Sequence, residues 1–241
     1  MVMPSNNTGA LVRQLGRLFP GRVGQLIGPG GWRKPSFALP YALDNGAYGA
    51  YTSKTEWDAE PFVALLDRAS ASTQKPIWCA VPDVVADAQA TCAKWHEWAP
   101  VVRARGFACA FVVQDGMNRE HVPTDADLVF VGGSVEWKWS TVAAWCAWFP
   151  RVHVGKVNSL KRLLECDARG VASVDGTGWF RGDITQGREF VQYVARTHAR
   201  QLSIFEPLPE PDDVVIPGVV CDECGRSVPI PRGALAARRG A

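Results

Sequence analysis

Two textures alternate along the chain: short runs that are apolar throughout, and longer stretches with apolar residues at helical spacing. The segment up to about Phe19 spaces Leu11, Leu15 and Leu18 among arginines, which predicts a short amphipathic helix or an ordered arm. GRVGQLIGPGG reads as a strand entering a glycine turn, and SFALPYALDNG as a second strand stopped by Asp44-Asn45-Gly46. Thr55, three residues before Asp58, predicts a capping-box variant for a helix carrying Phe62, Leu65, Leu66 and Ala69. KPIWCAVPD is an apolar run ending in Asp83. The helix after it passes Cys92 and Trp95, is disturbed at Pro100 and stops at Gly106. ACAFVVQDG delivers Gln114 and Asp115, and DLVFVGGS exits through Gly132-Gly133. Ser140 is positioned to cap the helix with Val142, Trp145, Cys146 and Phe149, which Pro150 ends. VHVGKV follows, then a helix with Leu160, Leu163 and Leu164 that Asn158 can cap and Gly170 can close. Val171 to Val174 lead Asp175 into a glycine-rich loop, and a last helix runs through Phe190 and Val194.

Strands apolar throughout, alternating with amphipathic helices, mean a parallel sheet covered by helices. Seven such strands in 241 residues favour a TIM-like (β/α)8 barrel. No eighth strand is evident, so a reduced or irregularly closed barrel is expected. An open doubly wound sheet is the runner-up, and neither a dinucleotide fingerprint nor a P-loop supports it. At Glu206 the texture changes to the acidic, proline-rich EPLPEPDD and then a basic tail containing Cys221 and Cys224. The expected division is a barrel domain over 1–205, with a basic N-terminal arm, and a linker with tail over 206–241.

Net charge is only +2, so the chain as a whole is not polycationic. The charge is uneven: Arg13, Arg17, Arg22, Arg33 and Lys34 precede the first acidic residue, and Arg226, Arg232, Arg238 and Arg239 lie in the tail. Basic ends on a near-neutral body suit phosphates, and solvated termini equally. Cys79, Cys92, Cys109, Cys146 and Cys166 sit inside apolar segments, as buried thiols of a reducing compartment do. With no signal-peptide core and no run of about 18–20 apolar residues, the expectation is a soluble, cytoplasmic protein without membrane contact.

In such a barrel the strand C-termini share one face, and chemistry gathers there. That face should receive Asp44, Asp83, Gln114, Asp115, Gly132, Gly133, Glu136, His153 and Asp175. Carboxylates dominate and only His153 is a strand-end histidine, which argues against a hydrolytic metal centre. Two carboxylates facing each other suit substitution at an anomeric carbon: one attacks to form a covalent glycosyl-enzyme, the other moves protons. Any single strand-end aspartate is more often structural, but three followed closely by turns shift that balance.

The ordered set LDNGAYGAY, VPDVV, VVQDG, VGGSVEWK and HVGKVNSLKRLLECDARGVASVDGT resembles the tRNA-guanine transglycosylase superfamily. It is most similar to the reduced DNA-guanine transglycosylases of phage and bacterial 7-deazaguanine DNA modification, from about Leu39 to Arg181. The resemblance implies Asp175 as the nucleophile at C1′ and Asp44 as the acid/base group. It implies Asp83 and Gln114 as partners of a guanine or 7-deazaguanine edge, with the Gly132-Gly133-Ser134 backbone against the base. Tyr48 or Trp179 is placed to stack on that base, or simply to pack. The implied partners are DNA and a free guanine or 7-deazaguanine, with the target nucleoside taken out of its stack. Lys138, Lys156 and Arg181, with Lys161 nearby, are candidates for phosphate contact, and Glu136-Trp137-Lys138-Trp139 for a strand-contacting lip or a half-buried helix start. No cofactor is required. The tRNA-acting relatives carry a three-cysteine, one-histidine zinc site after the nucleophile region, where this chain has only Cys221 and Cys224 and no histidine beyond His198, so zinc is doubtful. A tRNA substrate, a nucleoside or N-glycoside hydrolase, and a catalytically silent nucleic-acid-binding barrel remain the alternatives.

Overall fold

The computed structural model describes residues 1–7, 9–32, 39–180 and 184–202, and two short strands at 219–220 and 227–228. The chain divides into two compact units, Met1–Thr197 and His198–Ala241. The second contributes the antiparallel pair β9 (Val219–Val220) and β10 (Ser227–Val228). Arg181, Cys221 and Cys224 lie outside the described residues.

The first unit is a (β/α)8 barrel. Its strands are β1 (Val2–Pro4), β2 (Gln25–Ile27), β3 (Tyr41–Leu43), β4 (Cys79–Ala80), β5 (Cys109–Val113), β6 (Leu128–Val131), β7 (Val152–Val154) and β8 (Ser173–Gly176). The order is β1-β8-β7-β6-β5-β4-β3-β2 with every named pairing parallel. Isolated parallel bridges Val2 to Val23 and Ser5 to Leu26 join the two outer strands and close the ring irregularly. The strand that the apolar pattern leaves unaccounted for is therefore Val2–Pro4, at the very start of the chain.

The helices are α1 (Ala10–Leu18), α2 (Ala47–Ser53), α3 (Ala59–Ala71), α4 (Ala88–Arg103), α5 (Val135–Trp148), α6 (Leu160–Ala168) and α7 (Ile184–Leu202). The link from β5 to β6 carries only a 3-10 turn at Arg119–His121, so the barrel is reduced there. Among the described residues no helix is long and apolar enough to cross a membrane.

Strands buried on both faces explain the apolar runs. Met3, Leu26, Ala42, Trp78, Ala80, Ala110, Val112 and Leu128 form one cluster inside the ring, while their strand neighbours pack outward against the helices. Small alanines opposite Trp78 and Phe130 fill a narrow barrel.

Helix starts differ from the expected ones in three places. Asp58, not Thr55, caps α3, its carboxylate accepting from the Glu60 N–H at 3.0 Å. Ser134 caps α5, and Ser140 lies inside that helix with its hydroxyl on the Trp137 carbonyl. Ser159 caps α6, while the Asn158 carboxamide accepts from the Gly178 N–H at 2.9 Å. Helix α4 continues through Pro100 to Arg103.

Candidate active site at the barrel mouth

Asp175 sits on β8, side by side with Met3 of β1, and is 7% exposed. Three donors converge on its carboxylate. His153 Nε2 reaches Oδ1 at 3.1 Å and the Lys156 N–H reaches the same oxygen at 3.2 Å. The Ser5 hydroxyl reaches Oδ2 at 3.0 Å. An ionised carboxylate has lone pairs for all three and one side of Oδ2 to spare.

His153, on β7, is fully buried. Its Nδ1 lies 2.8 Å from the Ser173 hydroxyl. Trp78 and Phe130 hold the ring edge-to-face, with centroids 4.8 and 4.4 Å away. The bond to Asp175 assigns the proton to Nε2, leaving Nδ1 to accept from Ser173. Burial pushes the imidazole pKa below its usual value, against the pull of Asp175. A neutral ring that donates to Asp175 is the result.

Asp44 follows β3 directly, its N–H bonded to the Ile27 carbonyl at 2.9 Å. Burial raises its pKa to about 7, reinforced by the negative charges of Asp175 and then Asp83. The three carboxyls stand at the C-terminal ends of β3, β4 and β8, on one mouth of the barrel. A Cβ on Gly28 would stand 3.5 Å from Oδ2 of Asp44, and the Gly28 N–H is fixed by the Asn6 carboxamide at 2.8 Å. Asn6, at φ 50°, and Ser5 follow β1 and thus lie at the seam where β1 meets β2 and β8, Ser5 on Asp175 and Asn6 on Gly28.

Asp83 and Gln114 are brought together directly. Gln114 Nε2 donates to Asp83 Oδ2 at 2.6 Å, and Asn45 Nδ2 to Oδ1 at 2.8 Å. Burial raises the Asp83 pKa to about 6, opposed first by the Asn45 bond and by its other donors. Gln114 is oriented by the Ala86 N–H on its Oε1 at 3.2 Å. Tyr48, 46% exposed on α2, lies beneath the Lys156 ammonium, 2.8 Å from ring centroid to Nζ. Lys156 and Tyr48 thus stand at the same rim.

Two expectations, for Lys138 and Ser134, are corrected, and two open alternatives, for the 136–139 segment and Trp179, are decided. Lys138 is 2% exposed and its ammonium donates to the Gly155 carbonyl at 2.5 Å, so it cannot meet phosphates. The lip is a helix start: Trp137 packs 6.1 Å from Trp145, and Arg162 covers Trp139 at 4.2 Å. Ser134 has no free N–H for a base, because Asp115 Oδ2 takes it at 2.7 Å while Oδ1 takes the hydroxyl. Trp179 is fully buried, with Nε1 on the Val157 carbonyl at 2.8 Å, and serves packing. The glycine pair keeps its expected place. Gly132 is bonded to the Val113 carbonyl at 3.1 Å, and Gly133, at φ 71°, turns the chain where a Cβ would meet Asp115 and Trp137. Lys161 lies exposed on α6.

Ser5, Asn6, Asn45 and His153 are the polar site residues that motif reading leaves out of the machinery. His153 carried a signal, since a histidine between two valines of a buried strand must point into the ring. Ser5 and Asn6 carried none, because the strand preceding them is invisible in the pattern. Among the described residues no cluster of three metal-ligating side chains exists.

No family model and no curated protein matches the chain. Among solved structures it is similar to the tryptophan synthase complex of Pyrococcus furiosus, at 13% identity over 84% of this chain and 97% of that one, with a TM-score of 0.49. A mutant tryptophan synthase alpha-subunit from the same organism matches over the same shares at 13% identity and a TM-score of 0.48.

Proposed function

We propose that this chain is an enzyme, a DNA-guanine transglycosylase that exchanges guanine for a 7-deazaguanine base through a covalent aspartyl-glycosyl intermediate. One observation carries the reading: two carboxyls with different surroundings share the barrel mouth. Asp175 is surrounded by hydrogen-bond donors, and Asp44 keeps its proton up to about pH 7. A carboxylate held by donors beside a carboxyl that keeps its proton suits a nucleophile and an acid.

In the first half-reaction an Asp175 oxygen gives its electron pair to C1′ of the extruded nucleoside. The C1′–N bond breaks with its pair on guanine, which takes the Asp44 proton. In the second half the incoming base gives a proton to the Asp44 carboxylate, attacks C1′, and returns the electron pair of the ester bond to Asp175. No redox step or nucleotide hydrolysis enters. Asp83 and Gln114 satisfy one another in the free protein at 2.6 Å, so an arriving guanine edge exchanges bonds rather than meeting unpaired groups. Tyr48 and the Lys156 ammonium at the rim fit a base and its phosphate.

The decisive experiment is incubation with radiolabelled guanine and either DNA or tRNA. Label entering DNA is the expected result; label entering tRNA alone would move the substrate to RNA. Release of free base without incorporation would indicate a hydrolase, and binding without either a silent barrel. An Asp175→Asn protein should exchange no guanine, and a normal rate would remove the nucleophile assignment.

A further inference from the structure

Lys138 opens α5, where a lysine normally reaches water, yet it is 2% exposed. Burying an ammonium is costly unless strong partners offset it, and an apolar side chain would fill the space more cheaply. Its partner is the Gly155 carbonyl oxygen, at 2.5 Å. The N–H of that same peptide, belonging to Lys156, donates to Asp175 Oδ1 at 3.2 Å. A single peptide group therefore stands between a buried cation and the reactive carboxylate.

The turn is shaped for this arrangement. Lys156 has φ 59°, a left-handed conformation that is strained for a residue with a Cβ. Gly155 has no room for a Cβ, which would stand 2.7 Å from Phe130 Cε2 and 3.3 Å from Asp175 Oδ1. We infer that Lys138 is a positioning residue for Asp175, acting through the Gly155–Lys156 peptide. The ammonium draws electron density toward the carbonyl oxygen, strengthens the N–H as a donor and holds the peptide plane in place. His153 fixes the same carboxylate oxygen from inside the barrel. With Oδ1 held twice, Oδ2 is the atom left to attack. Burial lowers the Lys138 pKa to about 8, with Asp175 the first of the groups that oppose the shift, so the ammonium is the main form at neutral pH.

The role assigned to Lys138 rests on Asp175 being the nucleophile, whereas the peptide contact can be read without any activity. The test uses the full chain carrying Lys138→Met or Lys138→Gln. In proton–nitrogen correlation spectra the Lys156 amide proton should move upfield in K138M, and by less in K138Q, which keeps a donor. For guanine exchange, kcat should fall about tenfold or more in K138M, less than the ~100-fold typical of deleting a direct donor. KM for the DNA should stay within about twofold, since no binding contact is removed. An unmoved Lys156 amide in both variants overturns the inference, as does a rise in KM with kcat unchanged. If K138M does not fold, the K138Q spectrum decides alone. If the unmutated protein exchanges no base, the transglycosylase reading falls, and the amide shift still supports or overturns the peptide contact.

Discussion

Each carboxyl at the barrel mouth meets a different set of neighbours, and pH separates them. Asp44 and Asp83 have folded-state pKa values of about 7 and about 6, both above the ordinary 3.8. A carboxyl with a raised folded pKa binds its proton more tightly in the native state. Its contribution is therefore complete below about pH 4 and is lost as pH rises through the folded value. Urea unfolding between pH 4.5 and 8 should show the wild type losing on the order of 3 kcal/mol beyond what Asp44→Asn loses. A variant with the same pH slope as wild type would mean that Asp44 is solvated as an ordinary surface acid. The same proton matters for the chemistry. Single-turnover formation of the covalent adduct should decline as pH rises through about 7, because the leaving base then finds Asp44 ionised. Asp44→Asn should flatten that decline while slowing the step.

At the scale of elements, caps and turns place the site. Ser134 caps α5 and also anchors Asp115 at the exit of the neighbouring strand β5. Ser134→Ala should cost about 1 kcal/mol in urea unfolding, the usual penalty for a lost N-cap, with exchange activity retained. Gly155→Ala should cost roughly 1–3 kcal/mol, since the new methyl group would press on Phe130 and on the Asp175 oxygen. Activity should fall further than stability does. The strands were legible because both their faces are buried, and the aspartates because each closes such a run. Caps were less legible: serine or asparagine occurs at several positions near each start, and only backbone geometry selects one. Ser134 over Ser140 and Ser159 over Asn158 are choices of this kind. Burial of Lys138 is hidden from the sequence for a related reason: its charge and helix position are plain there, the turn after β7 that closes over it is not.

The whole barrel depends on its first seven residues more than their length would suggest. Val2–Pro4 is too short for any periodic pattern, yet it pairs with β8 and bridges to Val23 next to β2, joining sequence positions more than 170 apart. Met3 stands inside the ring beside Asp175, and Ser5, just past the strand, holds the Asp175 carboxylate. Closure and site assembly are thus carried by the same segment, and they can be separated by substitution. Removing residues 1–7 should abolish cooperative unfolding, because two sheet edges and the fully buried Met3 position are lost together. Ser5→Ala should leave the transition cooperative, at a cost of about 1 kcal/mol for one hydrogen bond. It should nevertheless slow adduct formation, since the attacking oxygen loses its guide. Circular dichroism melts beside single-turnover kinetics on the two proteins would make the comparison. If the shortened chain melted as cooperatively as the intact one, β1 would be an accessory to the barrel and closure would lie with β2 and β8.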